Sequence, residues 1–155
     1  MTKEGTTSYE DAYKGFYIEA LEAPMPWFPL DSDFLRDTKV RKLAVVGGWG
    51  YVGMYIALIA CLAATDSHIY DLNDDMGWAF LRSDMSVVGC ELSDNDLKGF
   101  VGVLLKLDLL DNSLWDESGK IASERMLRNA EDYASSVAAG KAKGLRMRQG
   151  KAAGR

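Results

Sequence analysis

From Leu43 to Thr65 the chain runs for 23 residues without a charged side chain. A stretch that long and apolar either crosses a bilayer or is folded into a protein core. Its composition decides between the two. Gly47, Gly48, Gly50 and Gly53 crowd the first half, and each glycine weakens a continuous helix by about 0.8–1 kcal/mol relative to alanine. Basic residues precede the stretch, acidic residues follow it, and no aromatic belt marks its far end. The expectation is therefore no membrane span. One helix should end near Gly47–Gly48, and a second, buried helix should begin at about Tyr51. The glycines would form the turn, with Gly53 allowing close helix packing.

The same glycines permit another fold. Gly48-Trp49-Gly50-Tyr51-Val52-Gly53 matches G-x-G-x-x-G, Leu43-Ala44-Val45-Val46 could be the preceding strand, and Asp71 stands where a ribose-binding acid belongs. That reading makes the chain an NAD(P)-binding Rossmann-type oxidoreductase. It accounts for about thirty residues of one βαβ unit. Beyond Asp71 no second or third Val/Ile-rich strand follows, and there is no second histidine and no Tyr-x-x-x-Lys. A non-enzymatic, cofactor-free chain is expected instead, with the oxidoreductase as an alternative.

Helical spacing of Tyr9, Ala12, Tyr13, Phe16, Tyr17, Ala20 and Leu21 predicts a helix from Ser8 to Ala23. Pro24, Pro26 and Pro29 stop it and hold the linker extended, laying Trp27 and Phe28 on the surface. Asp37 is placed to cap the next helix. His68–Leu72 reads as a strand, Asn73 or Asp74 as the cap of a helix through Leu81, and Ser93 as the cap of another through Leu107. Residues 113–116 and 121–123, around the turn Glu117-Ser118-Gly119-Lys120, predict a β-hairpin. A last helix starts at Glu124 and ends near Val137. The predicted class is mainly α with a small β-hairpin, winged-helix-like, since helices followed by a hairpin are the layout of that fold. Three parts follow: an N-terminal extension over 1–26, a winged-helix-like domain over 27–132, and the end of the last helix with a flexible, basic, Gly-rich arm over 133–155.

Charge divides along the same boundary. The chain carries −5, but residues 133–155 hold six basic residues and no acid, leaving the remainder at −11. An acidic body opposes a polyanion and a basic arm attracts one. The candidate DNA contacts are Lys141, Lys143, Arg146, Arg148 and Lys151 in the arm, Lys120 at the hairpin turn, Arg125 and Arg128 beyond it, and Lys98 and Lys106 on the helix before it. Glu91, Asp94 and Asp96 crowd the start of that helix and repel phosphate there. Cys61 and Cys90 lie in apolar surroundings, with no CxxC pair and a lone His68, so two buried reduced thiols are expected and no zinc site. Asp31 and Asp33 could hold Mg²⁺, but no metal is expected, since capping and an Arg–Asp bridge explain the cluster Asp31, Asp33, Arg36, Asp37. Trp49, Trp78 and Trp115 are expected in the core. No apolar run follows Met1, so a cytoplasmic protein is expected.

One resemblance adds to this. Trp27-Phe28-Pro29-Leu30-Asp31-Ser32-Asp33-Phe34-Leu35-Arg36-Asp37-Thr38-Lys39-Val40 resembles the opening of a Lin-type N-terminal domain found at the start of prophage and mobile-element replication proteins, often before a DnaD-like domain. Trp27, Phe28, Pro29, Asp31, Asp33, Arg36 and Asp37 carry that motif. Gly50-Tyr51-Val52-Gly53-Met54-Tyr55 looks like the family's apolar helix, and Lys120-Ile121-Ala122-Ser123-Glu124-Arg125-Met126-Leu127 like its close. Val45-Val46 stands where the family usually has basic residues. The resemblance implies a winged helix and replication-linked DNA binding, with DNA and a replication protein as partners. A protein–protein interaction module of the same fold is the alternative.

Overall fold

A computed structural model describes residues 8–28 and 30–154. Pro29, one of the motif residues, lies outside the described residues. Among those described there are six α-helices and one two-stranded sheet: α1 (Tyr9–Glu22), α2 (Thr38–Ala63), β1 (Tyr70–Asp71), α3 (Asp75–Val87), α4 (Asp94–Lys106), α5 (Asn112–Ser118), β2 (Lys120–Ile121) and α6 (Glu124–Ala153).

Most helices begin where a short polar side chain can take up a free backbone N–H. Ser8 accepts from Asp11 N, Asp37 from Lys39 N and Val40 N, Asp74 from Gly77 N, Ser93 from Asp96 N, and Asp111 from Leu114 N. The core is built from one face of α2, α3 and α4 and the start of α6. Leu43, Tyr55, Leu58 and Leu62 of α2 meet Leu81 and Met85 of α3, Leu97, Phe100 and Leu104 of α4, and Met126 of α6. Phe34 stacks on Tyr55 with ring centres 6.0 Å apart, and Tyr51 meets Phe100 edge-on at 5.3 Å.

The apolar stretch is folded much as expected, but the turn has shrunk to one residue. Leu43–Val46 is helical, and the helix breaks only at Gly48, with φ 71° and ψ −174°. That conformation is essentially confined to glycine. Close approach belongs to Gly47 rather than Gly53: a methyl group at Gly47 would overlap the Tyr51 ring, whereas one at Gly53 would meet open space. With Leu43–Val46 helical, the glycine fingerprint lacks the strand that a dinucleotide fold needs. By length and composition alone α2 could cross a membrane; here its second half supplies Val52, Tyr55, Leu58, Ile59 and Leu62 to the core.

Two further expectations are corrected. Residues 113–116, read as the first arm of a hairpin, lie within α5, and the sheet joins segments far apart in sequence. β1 pairs antiparallel with β2, Tyr70 opposite Ile121 and Asp71 opposite Lys120. Gly119 ends α5 in a left-handed C-cap instead of turning a hairpin. Trp115 packs edge-on to Trp78 at 6.4 Å, which holds α5 on α3. The predicted strand 68–72 is shorter because residues 66–68 form a 3-10 turn, with Ser67 and His68 at positive φ.

The arm beyond Val137, expected to be flexible, continues as helix to Ala153. Ala130, Ala134, Ala138 and Ala142, four residues apart, are buried along one ridge of α6. Ala12 and Ala20 are the buried residues of α1. Leu21 and Glu22 lie by Leu127 and Ala130, while Lys141 sits over the Phe16 ring, so α1 and α6 run antiparallel. Small side chains on both helices let them approach closely. Gly140, Gly144 and Gly150 face open space and take no part in that contact.

Candidate nucleic-acid interface

The ten basic residues proposed from sequence fall into two sets. Lys141, Lys143, Arg146, Arg148 and Lys151 are all exposed on the second half of α6. At about 100° per residue, Lys141, Arg148 and Lys151 fall to one side of the alanine ridge and Lys143 and Arg146 to the other. Among the described residues no ion pair engages any of the five. Lys141 also lies 5.7 Å from the centre of the Phe16 ring.

The second set is scattered over the acidic body. Lys98 lies over Trp78 at 5.5 Å. Lys106 is exposed in the last turn of α4. Lys120 is half-buried in β2, opposite Asp71. The Asp71 carboxyl is held below its usual range, mainly by hydrogen bonds from Asn73, with a smaller contribution from Lys120. Arg128 is exposed at the start of α6, where it shares a small cavity of about 80 Å³ with Asp37, Lys39, Asp108, Glu124 and Arg125. Carboxylates thus stand among those cations. The first turn of α4, the helix a winged-helix reading would send into a groove, carries Asp94 and Asp96, and Arg82 pairs with Asp94 at 2.9 Å.

Arg125 is engaged inside the protein. Its guanidinium donates to Asp31 at 2.9 Å and to Asp37 at 3.3 Å, and it lies 5.1 Å from the centre of the Phe34 ring. The expected Arg–Asp bridge exists, but its arginine comes from α6 rather than from Arg36, which is exposed. Asp37 both caps α2 and holds Arg125, while Asp33 makes no capping bond. Nearby, burial raises the Tyr55 hydroxyl above its ordinary range, against a hydrogen bond with Ser123. This cluster ties the segment before α2 to the start of α6. Trp27 is exposed, as expected, and stands edge-on to Tyr133 at 5.8 Å; Phe28 is half-buried against the core.

These ties join both ends of one sequence segment. A family model described as "Lin1244/Lin1753-like, N-terminal" matches residues 27–126. The chain belongs to this family. The Lin1244/Lin1753-like segment opens at the Trp27 motif and closes one residue after Arg125, so the ion pairs to Asp31 and Asp37 bind its two ends together. No curated protein and no solved structure matches the chain.

Sequence reasoning missed two features. Trp49, expected in the core, is 66% exposed. Val45 and Val46 before it are 87% and 59% exposed. Together with Leu107 they line an open groove with Thr38, Arg41 and Lys42. The signal was present, because Val40 and Leu43 already occupy the core face of that helix and leave Val45 and Val46 on another.

Proposed function

We propose that the chain is a non-catalytic DNA-binding accessory module of a phage-like replication protein, working in the cytoplasm. The observation that carries this is the second half of α6: five exposed cations on an ordered helix, with no acid from Tyr133 onward. The body, at −11, repels phosphate, so α6 rather than α4 makes the contact. A winged-helix reading is supported by the order helix, strand, helix, helix, helix, strand, with β1 and β2 pairing across α3, α4 and α5. In this reading α5 occupies the place of the wing.

Removing the basic residues by truncation would also strip Ala138 and Ala142 from α1. A cleaner test exchanges charge alone. The variant Lys143→Gln, Arg146→Gln, Arg148→Gln, Lys151→Gln keeps the alanine ridge. Gel shifts on duplex DNA over a salt series should give a log–log slope near −4 to −5 for the intact chain, at about −0.9 per phosphate contact. The variant should retain a slope of about −1. An intact chain without DNA affinity at low salt would falsify the proposal.

A further inference from the structure

The first half of α2 has two faces. Val40 and Leu43 point into the core and are fully buried. Thr38, Arg41, Lys42, Val45 and Val46 stand at i, i+3, i+4, i+7 and i+8, the spacing of a second helical face, and this one is open. With Leu107 they line a groove of about 490 Å³. The Gly48 break interrupts the helix just beyond Val46, at the end of this open face. Exposed valines add nothing to a helix that Asp37 already caps, since β-branched residues are poor helix formers.

We propose that this groove docks an acidic amphipathic helix of a partner protein, its apolar side chains on Val45, Val46 and Leu107 and its carboxylates on Arg41 and Lys42. Charge selects the occupant. The groove lining holds two cations and no acid, on a body that is otherwise strongly acidic. An acidic helix is attracted to that spot and repelled by the acidic body around it. The stripe from Thr38 to Val46 is about 12 Å long at 1.5 Å per residue, which matches two turns of a partner helix. Phosphate would find only the two cations Arg41 and Lys42, beside apolar side chains. An anionic bilayer would face a concave patch on a body at −11. The inference is independent of the DNA reading, because none of its residues lies on α6.

The test pans the full chain against a displayed library of helical peptides about 16 residues long, with counter-selection on Val46→Asp. Enriched peptides should carry apolar residues at i and i+4 beside an excess of Asp and Glu. Fluorescence anisotropy should show at least about a tenfold loss of affinity in Val46→Asp, in Val45→Asp, and in Arg41→Glu, Lys42→Glu. A Lys-for-Glu peptide should bind the charge-reversed protein and not the parent. All four positions are exposed, and circular dichroism checks that each variant folds. Enrichment of basic peptides, or none above the Val46→Asp background, overturns the proposal. So does Val46-dependent pelleting with phosphatidylserine vesicles, or a dimer in sedimentation that Val46→Asp dissolves.

Discussion

At the scale of single residues, the two cysteines separate clearly. Cys61 is buried with its Sγ 3.9 Å from Met85 Sδ, Cys90 is half-buried, and both are free thiols. Loss of solvation, with the Asp84 charge as a smaller cause, pushes the Cys61 thiol from 9.0 up to about 11. Ellman's reagent on the native protein at pH 8 should therefore modify Cys90 first and reach Cys61 only on unfolding. The raised thiol also has a pH signature. The unfolded chain releases that proton at lower pH than the folded one, so the stability contributed is whole below pH 9 and falls as pH rises toward 11. Denaturant midpoints from pH 8.5 to 10.5 should fall more steeply for the parent than for Cys61→Ala. Arg125 offers a second case at this scale. Arg125→Met removes charge-assisted bonds to Asp31 and Asp37 and should cost about 1–3 kcal/mol in urea unfolding. Arg36→Met, on an exposed side chain, should cost under about 0.5 kcal/mol.

At the scale of elements, α2 shows how much one backbone position decides. Gly48→Ala forces a side chain into a conformation essentially reserved for glycine and should cost about 1–3 kcal/mol, read as a shift in thermal midpoint. An unchanged or raised midpoint would mean that the helix straightens through Gly48. Leu58 and Leu104 are fully buried, and truncating either to alanine should cost about 2–5 kcal/mol. What the sequence made legible follows the range of the forces involved. Caps at Asp37, Asp74 and Ser93 act over two or three residues, so they could be read locally. The pairing of Tyr70 with Ile121 joins segments fifty residues apart and leaves no local trace. Gly119 punctuates the chain either way, as hairpin turn or helix cap; the helix goes with the Asp111 cap and the packing of Trp115 on Trp78. The basic residues of the candidate interface were visible in composition. The Val45–Val46 groove was legible only through helical phase, since Val40 and Leu43 take the core face and leave that pair on another.

At the scale of the molecule, α1 and the second half of α6 lie outside the segment that matches the family, yet they hold each other. The Ala134–Ala138–Ala142 ridge is too small to bury much surface unless another helix comes close, and α1 is that helix. Without it, Gly140, Gly144 and Gly150 would each weaken the helix by about 0.8–1 kcal/mol. A free helical end of that length is marginal in water. Removing residues 1–22 keeps Met25, whose N–H donates to Ala63 O and whose side chain is buried in the core. The core around Leu58 and Leu104 should then stay folded while α6 frays beyond about residue 132. Hydrogen exchange should show fast amides from Ala134 onward and slow ones in α2 and α4. Counterion release depends on the number of cations meeting phosphate more than on their helical order. The salt slope on DNA should therefore persist in the shortened chain even as the helix melts. Loss of both together would mean that the α1–α6 pairing presents the cations in a fixed array, and that their geometry, not their number, carries the binding.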